Sequence, residues 1–177
     1  MRLPISNTFH FRTGTAGDAE LLADLGWCTF KEAFAEYNNP DDMVAFKPTM
    51  YSAELQAAEL ADPDTEFLIV EVDKEAIAYV KLNKGEAPEA VVANKALQIS
   101  RLYITRAWLG HGLGDQLMQW CLEKARSEGY DIVWLTVWER NERAKRFYNK
   151  YGFKEMGELD FILGQDVQRD LYMQVEV

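Results

Sequence analysis

The chain has 177 residues, 48% of them apolar and 27% charged, with a net charge of −10. That length and apolar share suffice for a sizeable core, so residues 1–177 are expected to form a single domain. The acidic balance excludes a nucleic-acid binder, which needs a basic stripe, and favours cationic small molecules.

The opening MRLPISNTFH lacks the basic-then-apolar form of a leader peptide, and no apolar run reaches membrane-spanning length. A reduced cytoplasmic setting, without a membrane partner, is the default. Residues 8–13 (TFHFRT) alternate as a first strand. Gly14 and Gly17 turn the chain, and Asp18 is placed to cap a helix running toward Tyr37. Leu21, Leu22, Leu25, Cys28, Phe30 and Phe34 keep the helical period there. The run Asn38-Asn39-Pro40-Asp41-Asp42 breaks it, because proline disfavours helix in the residue before it. A second helix is expected over residues 49–60, then a turn at Asp62-Pro63-Asp64. Residues 67–72 and 77–82 read as antiparallel strands, and 84–95 as a loop.

Residues 97–104 form the next strand. Gly110-His111-Gly112-Leu113-Gly114 then opens a segment with Leu113, Leu117, Trp120, Cys121 and Ala125 on one helical face. Strand, glycine turn and helix N-terminus together make an anion cradle. The first helical N–H groups have no intrahelical partner, the dipole is positive there, and glycines let a diphosphate reach the backbone. Glycines so spaced also serve merely to cap and pack a helix, and the loop alone leaves both roles open. Cys121 sits on the apolar stripe as a small buried hydrophobe, and two cysteines are no disulfide framework. With only His10 and His111, no metal centre is expected.

Gly129 ends that helix, and IVWLTVW (132–138) is apolar enough for a strand buried on both faces, as parallel pairing with 97–104 requires. Asn141 caps a last helix that turns Ala144, Phe147, Tyr148 and Tyr151 inward, and Gly152 stops it. Two late strands follow near 153–156 and 168–175, with ELDFILGQDV between them as a bulged loop. The expected class is mixed α/β. A dinucleotide fold fits poorly, since the spacing is GxGxG and too little chain follows for further βαβ units. A phosphate loop would need Gly-Lys-Ser/Thr, which is absent.

The combination resembles the GCN5-related N-acetyltransferase (GNAT) family, over nearly the whole chain and most strongly over 97–153. The family's acetyl-CoA loop, Gln/Arg-x-x-Gly-x-Gly/Ala, matches Leu109-Gly110-His111-Gly112-Leu113-Gly114 except at Leu109. The second motif stands as Asn141, Ala144, Phe147-Tyr148 and Gly152-Phe153. Thr29-Phe30, Asn39-Pro40-x-Asp42-Met43, the run 134–141 and the tail Gly164-x-Asp166-Val167-Gln168-x-Asp170-Leu171-x-Met173 are similar to the PaiA-like branch, which acetylates spermidine and spermine.

The resemblance implies a largely antiparallel sheet with a central parallel pair that splays, flanked by helices. It implies acetyl-CoA as cosubstrate and direct attack by a small-molecule amine in a ternary complex; a homodimer stays open. Backbone groups of Leu102, Tyr103 and Ile104 would pair with pantetheine, the N–H groups of residues 109–114 would hold the diphosphate, and Asn141 would bond the pantetheine. By pattern alone Tyr148 is a core residue; the resemblance makes it the acid for the departing thiolate. The family's glutamate before the loop corresponds to Gln98 or Ser100, neither a useful base, which leaves a water relay or an amine arriving neutral. His111, mid-loop, is better placed to face CoA or solvent than to act as that base. Glu139 and Glu142 beside Arg140 and Arg143 read as a solvated face. Glu32, Glu36, Asp41 and Asp42 would line a cationic acceptor site, or are ordinary surface charge. Two other functions stay open: the same chemistry on a protein N-terminus, amino acid or aminoglycoside-like amine, and a non-catalytic acyl-CoA-binding module.

Overall fold

A computed structural model describes residues 8–177; the opening residues 1–7, part of the leader argument, lie outside the described ones. The chain runs β1 (His10–Thr13), α1 (Ala19–Phe34), α2 (Pro40–Met50), α3 (Ala53–Ala61), β2 (Thr65–Val72), β3 (Glu75–Asn83) and β4 (Ala96–Ile104). It continues through α4 (Leu113–Ser127), β5 (Ile132–Trp138), α5 (Glu142–Lys150), β6 (Lys154–Leu163) and β7 (Asp166–Glu176). The strands form one sheet in the order β1-β2-β3-β4-β5-β7-β6, mixed because β4 and β5 are parallel.

Each sheet face has its own helices, as the alternation of the strands requires. On one face α4 buries Leu113, Leu117, Met118, Cys121 and Ala125 against Val80, Leu82, Leu97, Val133 and Leu135. Full burial of one such leucine contributes about 1.5–3 kcal/mol. On the other face α1 sets Leu22 and Leu25 on Phe67, Ile69 and Tyr79. Phe30, Met43, Tyr51 and Leu163 close a smaller cluster beside it, which joins α1 and α2 to the hairpin tip.

Three expectations need correction. Asp18 does not cap α1: its carboxylate takes the Arg12 guanidinium at 2.8 and 2.9 Å and the Thr15 N–H at 2.7 Å. Those partners hold it down at about 2. Residues 40–61 form two helices rather than one over 49–60. Asn39 accepts the Asp41 N–H as N-cap, and Pro40 sits at the first helical position, where a missing N–H costs nothing. Ser52 caps the next helix through the Leu55 N–H. ELDFILGQDV is no loop but the middle of a long β6–β7 hairpin, turning at Gly164 (φ +61°). Residues 158–163 pair regularly, without the expected bulge, and the register slips instead between Glu155 and Gly157.

The sheet carries one discontinuity. Only Ala96–Gln98 pair with Ile132–Trp134, after which β4 and β5 part. At the same point the β3–β4 register skips Ser100, a bulge that bends β4 away. Beneath it, Glu59 of α3 holds two buried cations: Lys81 at 2.6 Å, and Arg101 at 3.0 and 3.2 Å. Gln56 adds an acceptor to Arg101 at 3.1 Å. Glu59→Gln leaves Lys81 and Arg101 buried without a counter-charge, and should lower unfolding stability by about 3–5 kcal/mol in urea titration. An unchanged midpoint would show the network to be neutral.

Candidate active site

Past Gln98, the β5-facing edge of β4 has no strand to pair with, so backbone groups of Leu102, Tyr103 and Ile104 border an open seam. The side chains of Leu102 and Ile104 pack toward the α4 core, whereas Tyr103 turns to the α1 face, edge-on to Tyr79 at 5.7 Å.

At the end of β4 the chain makes a 3₁₀ turn over Arg106–Trp108 and enters the glycine loop. Gly110 and Gly112 hold φ of +82° and +76°, and a Cβ at either would meet nothing within 4 Å. That open, side-chain-free surface stands at the α4 N-terminus, which no side chain caps. The donors of residues 109–114 therefore fit a diphosphate. Leu113 is buried and offers only its backbone, while Leu109 is half-exposed. His111 is exposed, its ring against Trp108 and its Nδ1 3.2 Å from the Leu109 carbonyl. Gly114 lies deeper, where a Cβ would touch Phe147 at 3.5 Å and Ile104 at 3.6 Å.

Two residues of the second motif belong to α5, whose Phe147 and Tyr148 pack on the core that Leu102 and Ile104 also join. Asn141 Oδ1 accepts the Ala144 N–H at 3.1 Å as the α5 cap, which leaves its Nδ2 donor for a ligand. Tyr148 is half-buried on α5, its ring 5.6 Å from Phe147 and 5.7 Å from Phe153. Burial pushes its phenol well above the usual tyrosine range, and the neighbouring Tyr103 adds to the shift. A phenol so placed stays protonated and can only donate at neutral pH.

The four acidic candidates do not converge. Glu32 accepts the Arg106 backbone N–H at 2.7 Å and, through its own carbonyl, the Arg106 guanidinium; it ties α1 to the turn after β4. Glu36 is exposed in a 3₁₀ turn. Asp41 is exposed at the start of α2, and Asp42 lies against Gly164 at the β6–β7 turn. Gln168 binds Asn38 at 2.6 Å and so joins this rim to β7. Gln98 is the last residue paired across the seam, and Ser100 is the bulge.

Sequence reasoning gave no role to Asp170. It pairs with Trp138 across β5–β7, so both share a face, the one on which Trp138 meets Phe34 (6.0 Å) and Tyr37 (5.2 Å). Burial raises its carboxyl to about 6, and among the described residues no hydrogen bond or counter-charge opposes it. A lone acid in the alternating VQRDLYMQV (167–175) was the signal available.

A model described as the acetyltransferase (GNAT) family matches residues 28–153. An uncharacterised N-acetyltransferase from Lactobacillus delbrueckii subsp. lactis is 35% identical over 145 residues, covering 82% of this chain and 84% of that one. The spermine/spermidine N(1)-acetyltransferase of Bacillus subtilis is 33% identical over 70 residues, 38% of this chain and 45% of its own. The crystal structure of a PaiA N-acetyltransferase from Thermoplasma acidophilum in complex with coenzyme A superposes with a TM-score of 0.76 at 21% identity, covering 96% of this chain and 99% of that one.

Proposed function

The chain belongs to the GNAT family and is an acetyl-CoA-dependent N-acetyltransferase, and from that premise we propose that its acceptor is a primary amine of a polyamine such as spermidine or spermine. The observation that carries the reading is the seam itself. It opens on one side to the glycine cradle and Tyr148, and on the other to aromatic rings with acidic residues at the rim. Amine and thioester can therefore meet from opposite faces in a ternary complex.

In this reading the N–H groups of residues 109–114 grip the diphosphate, and the free β4 edge pairs with the pantetheine as a strand would. The Asn141 amide donates to that arm. A backbone N–H at the edge points toward the acetyl oxygen, where negative charge develops. Tyr148 donates its proton to the sulfur as the C–S bond breaks. Phe34, Tyr37 and Trp138 supply faces for alkyl segments and their cations, while Glu36, Asp41 and Asp42 at the rim attract further charges. The partial likeness to a spermine/spermidine acetyltransferase supports the same acceptor class. A cytoplasmic setting, with both cysteines as free thiols, is part of the proposal.

Turnover of acetyl-CoA with a mixed amine panel tests it, with spermidine expected well ahead of a monoamine of equal length. Salt should raise the apparent KM for spermidine and barely affect acetyl-CoA, since exposed charges are screened within about 8–10 Å at physiological ionic strength. Replacing Asp41 and Asp42 together by asparagine should mimic the salt effect, with a severalfold rise in spermidine KM. Equal rates for the two amines would remove the polyamine acceptor and leave acetyl transfer standing.

A further inference from the structure

We propose that Asp170 is the general base of the reaction, the group that takes the proton of the arriving ammonium on the face of the seam opposite Tyr148. The inference rests on the acetyl-transfer reading and supplies the acceptor of protons that Gln98 and Ser100 cannot provide.

Placement carries the argument. Asp170 stands opposite Trp138, at the C-terminal end of β5, where β4 has already parted from it. Its neighbours along the strand alternate: Leu171 and Met173 enter the α4–α5 core, so Asp170 takes the other face. On that face Tyr103 lies across the seam, close enough for the carboxylate's charge to help hold the phenol's proton. Tyr103 is in turn near enough to influence Tyr148. The cross-strand partners of Asp170 carry no charge, Trp138 on β5 and Leu159 on β6, with Phe34 and Tyr37 beyond the indole, and Gln168 and Tyr172 flank it on its own face of β7. Arg169, next along β7, turns away to Glu158 at 3.0 Å. Among the described residues no side chain or backbone N–H engages this carboxylate, although half-burying it costs stability.

The chemistry balances. The ammonium is drawn in as counter-ion to Asp170 and gives one proton to a carboxylate oxygen, directly or through one water. The freed lone pair forms the C–N bond while the C–S bond breaks. The nitrogen sheds its second proton to water, the sulfur gains the proton of Tyr148, and water restores Tyr148. Asp170 then releases its proton, so one proton is liberated per acetyl group transferred. A carboxyl near 6 suits that task, being ionised at neutral pH yet more basic than an ordinary aspartate.

The test compares wild type with Asp170→Asn and Asp170→Glu, using spermidine and saturating acetyl-CoA from pH 5 to 10. In the wild type, rate should fall as pH drops through about 6, because a protonated carboxyl accepts nothing. Asp170→Asn should lose that limb, fall about 10²–10⁴-fold in kcat at pH 7 and recover toward pH 10, where the amine arrives neutral. Asp170→Glu should regain part of the rate. Coenzyme A affinity by calorimetry should stay unchanged. The ionised carboxylate destabilises the fold above about 6, and that cost fades as pH falls toward 3.8 in the unfolded chain, so Asp170→Asn should raise Tm at pH 8. A wild-type acid limb in Asp170→Asn, or a raised spermidine KM with kcat intact, would overturn the base role alone. Failure of the wild type to turn over any amine would overturn acetyl transfer and the base role together.

Discussion

Tyr148→Phe is expected to slow turnover by about 10²–10⁴-fold, the usual size of one acid–base contribution, while leaving acetyl-CoA affinity where it was. The substitution removes one oxygen and keeps the ring between Phe147 and Phe153, so the packing that positions α5 survives. Stability should change by no more than about 1 kcal/mol, the worth of a single hydrogen bond. Because burial holds the phenol protonated well beyond the ordinary tyrosine range, the wild-type rate should show no alkaline decline below pH 10 from this group. Stopped-flow measurement of the acetyl-transfer step separates the outcomes: a slowed chemical step supports the acid role. A variant with wild-type turnover would return Tyr148 to a packing residue.

Gly112→Val should cost coenzyme A affinity about 10²-fold or more. At φ +76° a β-branched residue is strained by about 1–3 kcal/mol, and the loop can relieve that only by rotating its N–H groups out of line. Loss of two charge-assisted bonds to phosphate, roughly 1.5–3 kcal/mol each, gives a deficit of that order. Beyond its chain neighbours, no described atom lies within 4 Å of a Cβ built there, so the surrounding fold should hold. Calorimetry on a variant of native circular dichroism is the check. Unchanged affinity would move the diphosphate elsewhere.

The parts legible in the sequence were those whose chemistry is local. The cradle is backbone chemistry dictated by Gly110 and Gly112, and α4 announces itself through a stripe of which Leu113, Leu117, Cys121 and Ala125 are buried and Trp120 half-buried. The segments 67–72, 77–82 and 132–138 read correctly because they lie inside the sheet and are apolar for that reason. Helix α2 was missed because it buries little beyond Met43 and carries Pro48 inside, so neither period nor composition marks it. The later part of β6, from Glu158, reads as a bulged loop in sequence because it is an edge strand with most of its side chains exposed. The acceptor face was the least legible. It needs Tyr103, Trp138 and Asp170 from three strands, neighbours only once the sheet has formed. Glu32 fits an acidic-site pattern, yet its carboxylate answers a backbone N–H that no sequence period foretells.

The short β4–β5 pairing also has a mechanical meaning. Four strands on one side and three on the other act as two plates stitched together by three residue pairs at one end. Beyond the stitch no backbone bond fixes how far the plates stand apart. That distance is set by the side chains of α4 that lie across both, Leu117 and Cys121 among them, as spacers of fixed volume. The width of the slot is therefore encoded in methyl and methylene groups that never meet the substrate, and a change of volume there would retune its opening while every residue lining it stayed the same.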